Sequence, residues 1–167
     1  MPKTRDASPP RDVPQPVADG LLLYQARKAV FKLAERSLLE AGLSAAQMMM
    51  LGMLYWDGRA LVPRRMCNNL VVERQALTGV MDQLEAQGLA KRLSHPKDRR
   101  KIRIQITTKG REKYEEASAR TDPTLETCFQ ALTPSERQQL STILLKLRAA
   151  GYPLLGLSHE AAFPSGP

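Results

Sequence analysis

The fold is decided by VPRRMCNNLVVERQALTGVMDQLEAQGLAKRLSHPKDRRKIRIQITTKG, which occupies residues 62–110. Its first half predicts two helices joined by a short turn. Pro63 suits the first turn of a short helix that ends at about residue 70, and Gly88 suits the position just after a second helix over residues 73–87. Apolar side chains recur at helical spacing along this second helix, at Ala76, Leu77, Val80, Met81 and Leu84. Two such helices outline a helix-turn-helix.

The second half of the stretch predicts a β-hairpin. Residues 89–94 are expected to form one strand. Residues 101–106 are expected to form the other, because three isoleucines alternate strictly with polar side chains there. The intervening residues 95–100 are polar and are expected to form the tip. A small antiparallel ribbon therefore follows the helix-turn-helix directly.

The positive charge of the chain is concentrated in this ribbon. The whole chain has a net charge of +8, and residues 91–113 alone hold ten basic and two acidic side chains. We expect Arg99 and Arg100 to project from the tip and Arg103 to lie on the solvent side of its strand. A neutral body with one cationic segment favours a polyanionic partner, although a solvated basic loop explains the charge equally well.

Two helices are predicted before this stretch. The first runs from about residue 19 to residue 41, with Asp19 as its N-cap and Gly42 as its stop. Apolar side chains occupy two of its sides, which indicates burial by more than one neighbour, such as a partner subunit. The next helix opens with a capping box from Ser44 to Gln47 and ends at Gly58.

Two more helices are predicted after the ribbon. The fifth starts near Thr108, and the pair Asp122-Pro123 is expected to kink or restart it. The sixth opens with a capping box at Thr133 and ends at Gly151. Its core face comprises Leu140, Ile143, Leu144 and Leu147. The chain is therefore predicted to be mainly α-helical with one small β-hairpin.

Composition and motifs argue against several classes of protein. The length of 167 residues corresponds to about one domain, and no apolar run approaches the ~18 residues of a membrane span. We find no Gly-rich phosphate loop, no nucleophile elbow and no metal-ligand spacing, so no catalytic residue, cofactor or metal is expected. The first residues lack the apolar segment of a signal peptide, and two cysteines cannot form a disulfide framework. A cytoplasmic protein is expected.

The order of these elements predicts a winged helix that binds double-stranded DNA. The major groove of B-DNA is about 12 Å wide and admits one α-helix. The minor groove favours an inserted arginine where it is narrow, and the charge of the ribbon would bind phosphates by counterion release. No single element is specific for this function, but their order along the chain is.

From about residue 19 to residue 150 the chain resembles the multiple antibiotic resistance regulator (MarR) family of bacterial transcription factors. The residues that carry the resemblance are Leu43-Ser-Ala-Ala-Gln47, Val80-Met-Asp-Gln-Leu-Glu85, Gly88-Leu89, Arg92 and the string HPKDRRKIRIQITTKG, with Asp98-x-Arg100, Thr107 and Gly110. The string in the ribbon, which is the family's wing, is the most specific match.

The resemblance implies an obligate homodimer that grips a pseudo-palindromic operator with two winged helices. Its N- and C-terminal helices would interleave with those of the partner. The chain would then divide into a disordered Pro-rich arm over 1–18, a helical dimerisation region over 19–42 and 108–150, a winged helix-turn-helix over 43–107, and a tail over 151–167.

The resemblance also implies which residues contact DNA. Arg100, together with Arg99, would enter the minor groove, and Asp98 would hold the wing arginines in place. The chain departs from the family in the reading helix, where Val71 replaces a common glycine and Glu73 a small hydroxyl residue. The complete candidate set is Arg74, Gln75, Thr78, Arg92, Lys97, Asp98, Arg99, Arg100 and Arg103. For Arg74, a contact to phosphate alone is an equally good interpretation.

Methionines crowd the second helix, and core filling is their ordinary interpretation. In the family, however, the effector pocket lies between the dimerisation region and the DNA-binding region. The candidate pocket residues are therefore Lys28, Lys32, Met49, Met50, Met53 and Trp56. Lys28, Lys32 and Arg36 share one face of the first helix, which is either a solvated face or a site for an anionic effector such as an aromatic acid or a thioester of coenzyme A.

The resulting hypothesis is a homodimeric transcriptional repressor that a small-molecule effector releases from DNA. One alternative is a cysteine-based redox sensor of the same fold. Buried structural thiols are the favoured interpretation of Cys67 and Cys128, because no activating group lies beside either in sequence. The other alternative is a winged helix used for protein contact, which would leave the charged ribbon without a role.

Overall fold

The computed structural model describes residues 13–96 and 98–157, and of Arg99 it describes the backbone alone. The described part contains, in order, α1 Gln15–Glu40, α2 Ala45–Asp57, α3 Pro63–Leu70, α4 Arg74–Ala86, β1 Ala90–His95, β2 Asp98–Ile106, α5 Thr108–Phe129 and α6 Pro134–Leu154. The predicted mainly α-helical fold with a β-hairpin wing is confirmed. The predicted disorder of residues 1–12 and most of the predicted tail lie outside the described residues.

Local capping signals place three helix ends where they were predicted. The Ser44 hydroxyl accepts from the Gln47 N–H, and the Gln47 side chain accepts from the Ser44 N–H at 2.7 Å. The same reciprocal pair closes the start of α6 between Thr133 and Glu136. Gly88 ends α4 with a φ of +71°, which is the left-handed conformation that glycine adopts at little cost.

The prediction that Asp19 caps α1 was wrong, because the helix begins four residues earlier at Gln15. The expected arm therefore contains the first turn of α1. Pro16 fits this turn, where a missing N–H leaves no helical hydrogen bond unmade. The Gln15 side chain donates to Asp19 at 2.8 Å across one helical turn, so Asp19 stabilises the helix from within.

Two predicted helix ends in the C-terminal half were also wrong. α5 continues through Pro123 without a restart, with buried Ala117 and Thr121 on the turns before it. α6 continues through Gly151 to Leu154. Tyr152, which directly follows Gly151, is buried. Its hydroxyl donates to the backbone oxygen of Asn69 at 3.3 Å. Tertiary packing thus outweighs the local preferences of proline and glycine.

The wing differs from its prediction at the tip. β2 begins at Asp98, so Arg100 lies within the strand rather than in a tip of six residues. The predicted alternation is incomplete, since Ile104 is buried but Ile102 is 41% exposed. A third segment, unpredicted, joins the ribbon: Leu61 and Ile104 exchange backbone hydrogen bonds of 2.8 and 2.7 Å. This pairing ties the wing to the start of α3.

The hydrophobic core lies between α2, α4, the wing and α5. Its largest fully buried side chains are Leu43, Met50, Leu51, Met53, Leu54, Met66, Met81, Leu84 and Ile104. In contrast, Ile143, Leu144 and Leu147 of the predicted core face of α6 are exposed in the single chain, as are most apolar residues of α1. No single described helix is long and apolar enough to cross a bilayer; α1 and α2 reach that composition only together, and they meet at an angle of 87°.

Candidate nucleic-acid interface and the adjoining cleft

The N-terminal half of α4 presents three of the predicted DNA contacts on one exposed surface. Arg74, Gln75 and Thr78 line a shallow hollow together with Glu73. The opposite side of the helix is anchored in the core by Leu77, Met81 and Leu84. The Thr78 hydroxyl donates to the Arg74 carbonyl at 2.9 Å, and its oxygen remains able to accept. A rigid helix therefore displays a cation, an amide and a hydroxyl toward solvent.

The turn before α4 contains a strained residue. Val71 adopts a φ of +51°, and it is the one non-glycine residue with a positive φ in the described part of the chain. A β-branched side chain is a genuine outlier in this region. The position is the one where the resemblance noted a glycine in related sequences.

In the wing, Asp98 organises the exposed Arg100. The Asp98 carboxylate accepts from the Arg100 backbone N–H at 3.1 Å and lies 3.4 Å from the Arg100 Nε. The backbone hydrogen bond and the neighbouring cations Arg100 and Lys101 lower the pKa of Asp98 below its usual value, so the group stays ionised. The Arg100 side chain is 93% exposed. Lys97 and the side chain of Arg99 lie outside the described part.

Arg92, which was predicted to contact DNA, is not a free cation. Its guanidinium pairs with Asp82 at 2.5 Å and also with Glu85, both on α4. The hydrogen bond to Asp82, with the charge of Glu85, raises the pKa of Arg92 above its usual value. The residue therefore fastens β1 to α4 and positions the wing beside the helix.

Arg103 also departs from the expectation of a solvent-facing side chain. It is partly buried, and its Nε atom is fully shielded from solvent. Arg100 is thus the described wing arginine with the greatest freedom to reach a ligand.

The start of α5 holds the other end of the wing. The Thr107 hydroxyl donates to the backbone oxygens of Gly88 and Leu89, and it accepts from the Gly110 N–H at 2.9 Å. A Cβ on Gly110 would lie 1.9 Å from the Leu89 carbonyl oxygen, so no other residue fits there. Thr107 and Gly110 were identified from the sequence as motif residues. Their function in holding the wing against α5 was not predicted.

A cleft of about 270 Å³ lies where α1, α2 and α5 meet. Its lining consists of Val30, Phe31, Ala34, Leu38, Ala45, Met48, Met49, Tyr114, Ser118, Thr121, Asp122, Leu125 and Phe129. Of the six predicted pocket residues, the structure brings Met49 alone to this cleft. The other residues that line the cleft were not predicted from the sequence. They come together where α5 packs on α1, and these two helices are about ninety residues apart in sequence.

The remaining predicted pocket residues lie elsewhere. Met50 and Met53 are buried in the core. Trp56 is exposed, and its indole N–H donates to the Tyr114 hydroxyl at 2.8 Å. Lys32 pairs with Glu35 on the surface of α1, and the Lys28 ammonium lies 5.9 Å from the ring centre of Tyr24.

The surroundings of Cys67 do not favour a reactive thiol. Cys67 and Cys128 are both partly buried. Burial raises the pKa of the Cys67 thiol above its usual value, and this outweighs the opposing charge of Arg74. Because the thiolate is the reactive form, a raised pKa disfavours redox chemistry. The described residues contain no cluster of three His, Cys, Asp or Glu side chains that fits a metal ion.

Known proteins share this architecture. A family model described as the MarR family matches residues 41–101. The HTH-type transcriptional repressor MdtR of Bacillus subtilis is 30% identical over 127 residues, which cover 74% of this chain and 81% of that protein.

Two solved structures are also similar. The crystal structure of NadR in complex with 4-hydroxyphenylacetate has a TM-score of 0.71 and 26% identity, and the match covers 84% of this chain and 98% of that one. A mutant of MarR from E. coli, complexed with operator DNA, has a TM-score of 0.71 and 25% identity over 80% and 95% of the two chains.

Proposed function

Because the chain belongs to the MarR family of DNA-binding transcriptional regulators, we propose that it is a homodimeric repressor released by a small-molecule effector. The observation that carries the proposal is Arg100, which is almost fully exposed and is held on the wing by Asp98. The surface formed by Arg74, Gln75 and Thr78 would occupy the major groove, and Arg100 the minor groove.

The DNA partner would be a pseudo-palindromic operator. A twofold dimer places its reading helices about 34–36 Å apart, which is one turn of B-DNA. The similarity to the MarR structure with operator DNA supports this assignment. Arg92 would act indirectly in this interface, because its contacts with Asp82 and Glu85 set the position of the wing.

The dimer would form through α1, α5 and α6, with residues 43–107 as the DNA-binding region. Large apolar side chains outside the cleft remain exposed on α1 and α6 of the single chain, at Val17, Leu21, Leu22, Leu23, Leu33, Leu39, Ile143, Leu144, Leu145, Leu147 and Leu154. Exposed apolar side chains in such number mark a protein–protein interface. Interleaved helices of two copies would bury it.

The effector would bind in the cleft between α1, α2 and α5. Residues of the proposed dimerisation helices α1 and α5 and of α2 in the DNA-binding region line this cleft, so a bound ligand would contact both regions. The dimer would exist in two forms, one whose reading helices have the spacing that DNA requires and one whose spacing does not fit. A ligand releases the DNA only if it binds the second form more tightly than the first. The NadR complex with 4-hydroxyphenylacetate supports a ligand-responsive regulator of this fold.

A titration of DNA from upstream of its own gene, measured by fluorescence anisotropy at several salt concentrations, tests the proposal. We expect affinity to fall steeply with salt, because bound phosphates release counterions. Arg100→Ala should weaken binding at least tenfold and lower the slope of log K against log[salt] by about two, one for each wing of the dimer.

Arg120→Ala is the matched control, since it removes an exposed arginine that lies on α5, outside the wing. It should leave both the affinity and the slope unchanged. Undiminished binding by Arg100→Ala, or a flat dependence on salt, would contradict the DNA-binding role of the wing.

A further inference from the structure

We propose that the cleft between α1, α2 and α5 binds a small organic cation with an apolar body, its charged end at Asp122. The inference rests on the proposed function, since it names the class of effector for the same site. It departs from the anionic effectors considered from the sequence, because the cationic residues expected to hold an anion do not line the cleft.

The apolar body of the ligand follows from the walls of the cleft. Aliphatic side chains from three helices surround it, and the aromatic rings of Phe31, Tyr114 and Phe129 contribute to its lining. A volume of about 270 Å³ is near the lower limit of small-molecule sites, which is roughly 300 Å³. A ligand with one or two rings therefore matches the space.

The charge of the ligand follows from Asp122. Among the described residues that line the cleft, Asp122 is the one carboxylate, and none is Lys, Arg or His. The Ser118 hydroxyl donates to Asp122 Oδ2 at 2.8 Å, which orients the carboxylate and leaves its other oxygen as an acceptor. An ammonium group satisfies this acceptor, whereas a carboxylate would face a like charge.

The other polar side chains that line the cleft are uncharged. The Thr121 hydroxyl donates to the Ala117 backbone oxygen at 3.0 Å. The Tyr114 hydroxyl accepts from the Trp56 indole. They offer an anion no charged donor to offset its desolvation.

Two cations on elements beside the cleft are paired with acids. Lys32 on α1 binds Glu35 at 2.9 Å. Arg137 on α6, whose guanidinium lies 6.0 Å from the Phe129 ring centre, binds Glu126 at 2.7 Å. The aromatic walls add to the preference, because the face of an aromatic ring attracts a cation and repels an anion.

Isothermal titration calorimetry of the full chain with three probes that share one naphthalene ring tests the inference. The probes are 1-naphthylmethylamine, 1-naphthylmethanol and the carboxylate 1-naphthaleneacetate, which are cationic, neutral and anionic at neutral pH. We expect the amine to bind about tenfold more tightly than the acetate, with the alcohol between them, since the exposed carboxylate of Asp122 attracts one charge and repels the other.

Asp122→Asn keeps the shape of the side chain and its contact with Ser118 but removes the charge. It should lower the affinity for the amine several-fold, leave the alcohol unchanged and abolish the preference for the amine over the acetate. Glu116→Gln is the control, because it removes a carboxylate of the same helix outside the cleft. It should change none of the three affinities. Circular dichroism melts of both variants verify that they fold.

The inference is overturned if the acetate binds as tightly as the amine, if Asp122→Asn leaves their ratio unchanged, or if the amine does not bind. In each of these cases salt-dependent binding of operator DNA would leave the proposed function standing. Conversely, amine binding that depends on Asp122 but does not release operator DNA would support the ligand class and contradict the effector role of the cleft.

Discussion

The DNA-binding region and the terminal helices use apolar residues in opposite ways. In residues 43–107, Leu51 and Leu54 are completely buried by their own chain. On the terminal helices, Leu33 of α1 and Ile143 of α6 remain 49% and 54% exposed. A single chain therefore completes the core of the DNA-binding region but leaves much of the apolar surface of the helical region in solvent. The proposed dimer would bury that surface, since burial is the main favourable term in association.

The largest expected effect comes from a cavity in the completed core. Leu51→Ala should lower the free energy of unfolding by about 2–5 kcal/mol, because the lost methyl groups are fully buried and the surrounding helices relax only in part. Urea unfolding followed by circular dichroism measures it. Leu51→Met conserves volume and should cost less than about 1.5 kcal/mol. Similar losses in both variants would show that this core is not closely packed.

The next largest effect concerns the incomplete core. Ile143→Asp should convert the chain to a monomer at micromolar concentration, because the carboxylate would be buried without a partner in the dimer. Analytical ultracentrifugation measures the association. Gln138→Asp introduces the same acid at an exposed polar position of α6 and should leave the dimer intact. A dimer that persists in Ile143→Asp would place the interface away from this face.

A smaller effect is expected where the two regions join. Gly110→Ala should destabilise the protein by about 1–3 kcal/mol, because the added methyl group meets the Leu89 carbonyl and must push α5 away from the wing. Gly79→Ala makes the same change in α4, where nothing lies within 4 Å. That control should stabilise the protein by up to about 1 kcal/mol. Equal effects in thermal melts would refute the close approach at Gly110.

The smallest expected effect is an increase in stability. Val71→Gly should stabilise the DNA-binding region by about 0.5–1 kcal/mol, because glycine relieves the left-handed strain but increases the entropy of the unfolded chain. Val72→Gly, at the adjacent position, should destabilise it, since the backbone there has no positive φ. Both are measured by urea unfolding. A loss of stability in Val71→Gly would mean that the valine side chain contributes more than its strain costs.

Features set by neighbouring residues were predictable from the sequence. The caps at Ser44 and Thr133 and the stop at Gly88 depend on groups within four positions along the chain. The start of α1 and the continuation of α5 and α6 were not predicted. The last turn of α6 packs Tyr152 against Asn69, eighty-three residues away, and no local pattern signals such a contact.

The candidate site divides in the same way. Its helix and its ribbon were predicted from the hydrophobic period, which is a local property, and the Asp98–Arg100 pair was predicted from the family resemblance. The cleft was not, apart from Met49, because its lining comes from three helices that meet at long range.

The order of the elements, the concentration of charge in the wing and the resemblance to the family could all be established from the sequence. Local hydrophobic spacing, capping groups and net charge are properties of the chain before it folds. Which cationic side chains remain exposed to a ligand depends on how the elements pack, and this was known only from the tertiary structure. Arg92 and Arg100 look alike in sequence, yet packing brings Arg92 against Asp82 and Glu85 of α4 and leaves Arg100 in solvent. Ion pairs form between whichever charges the packed elements bring together, so pairing is decided by packing.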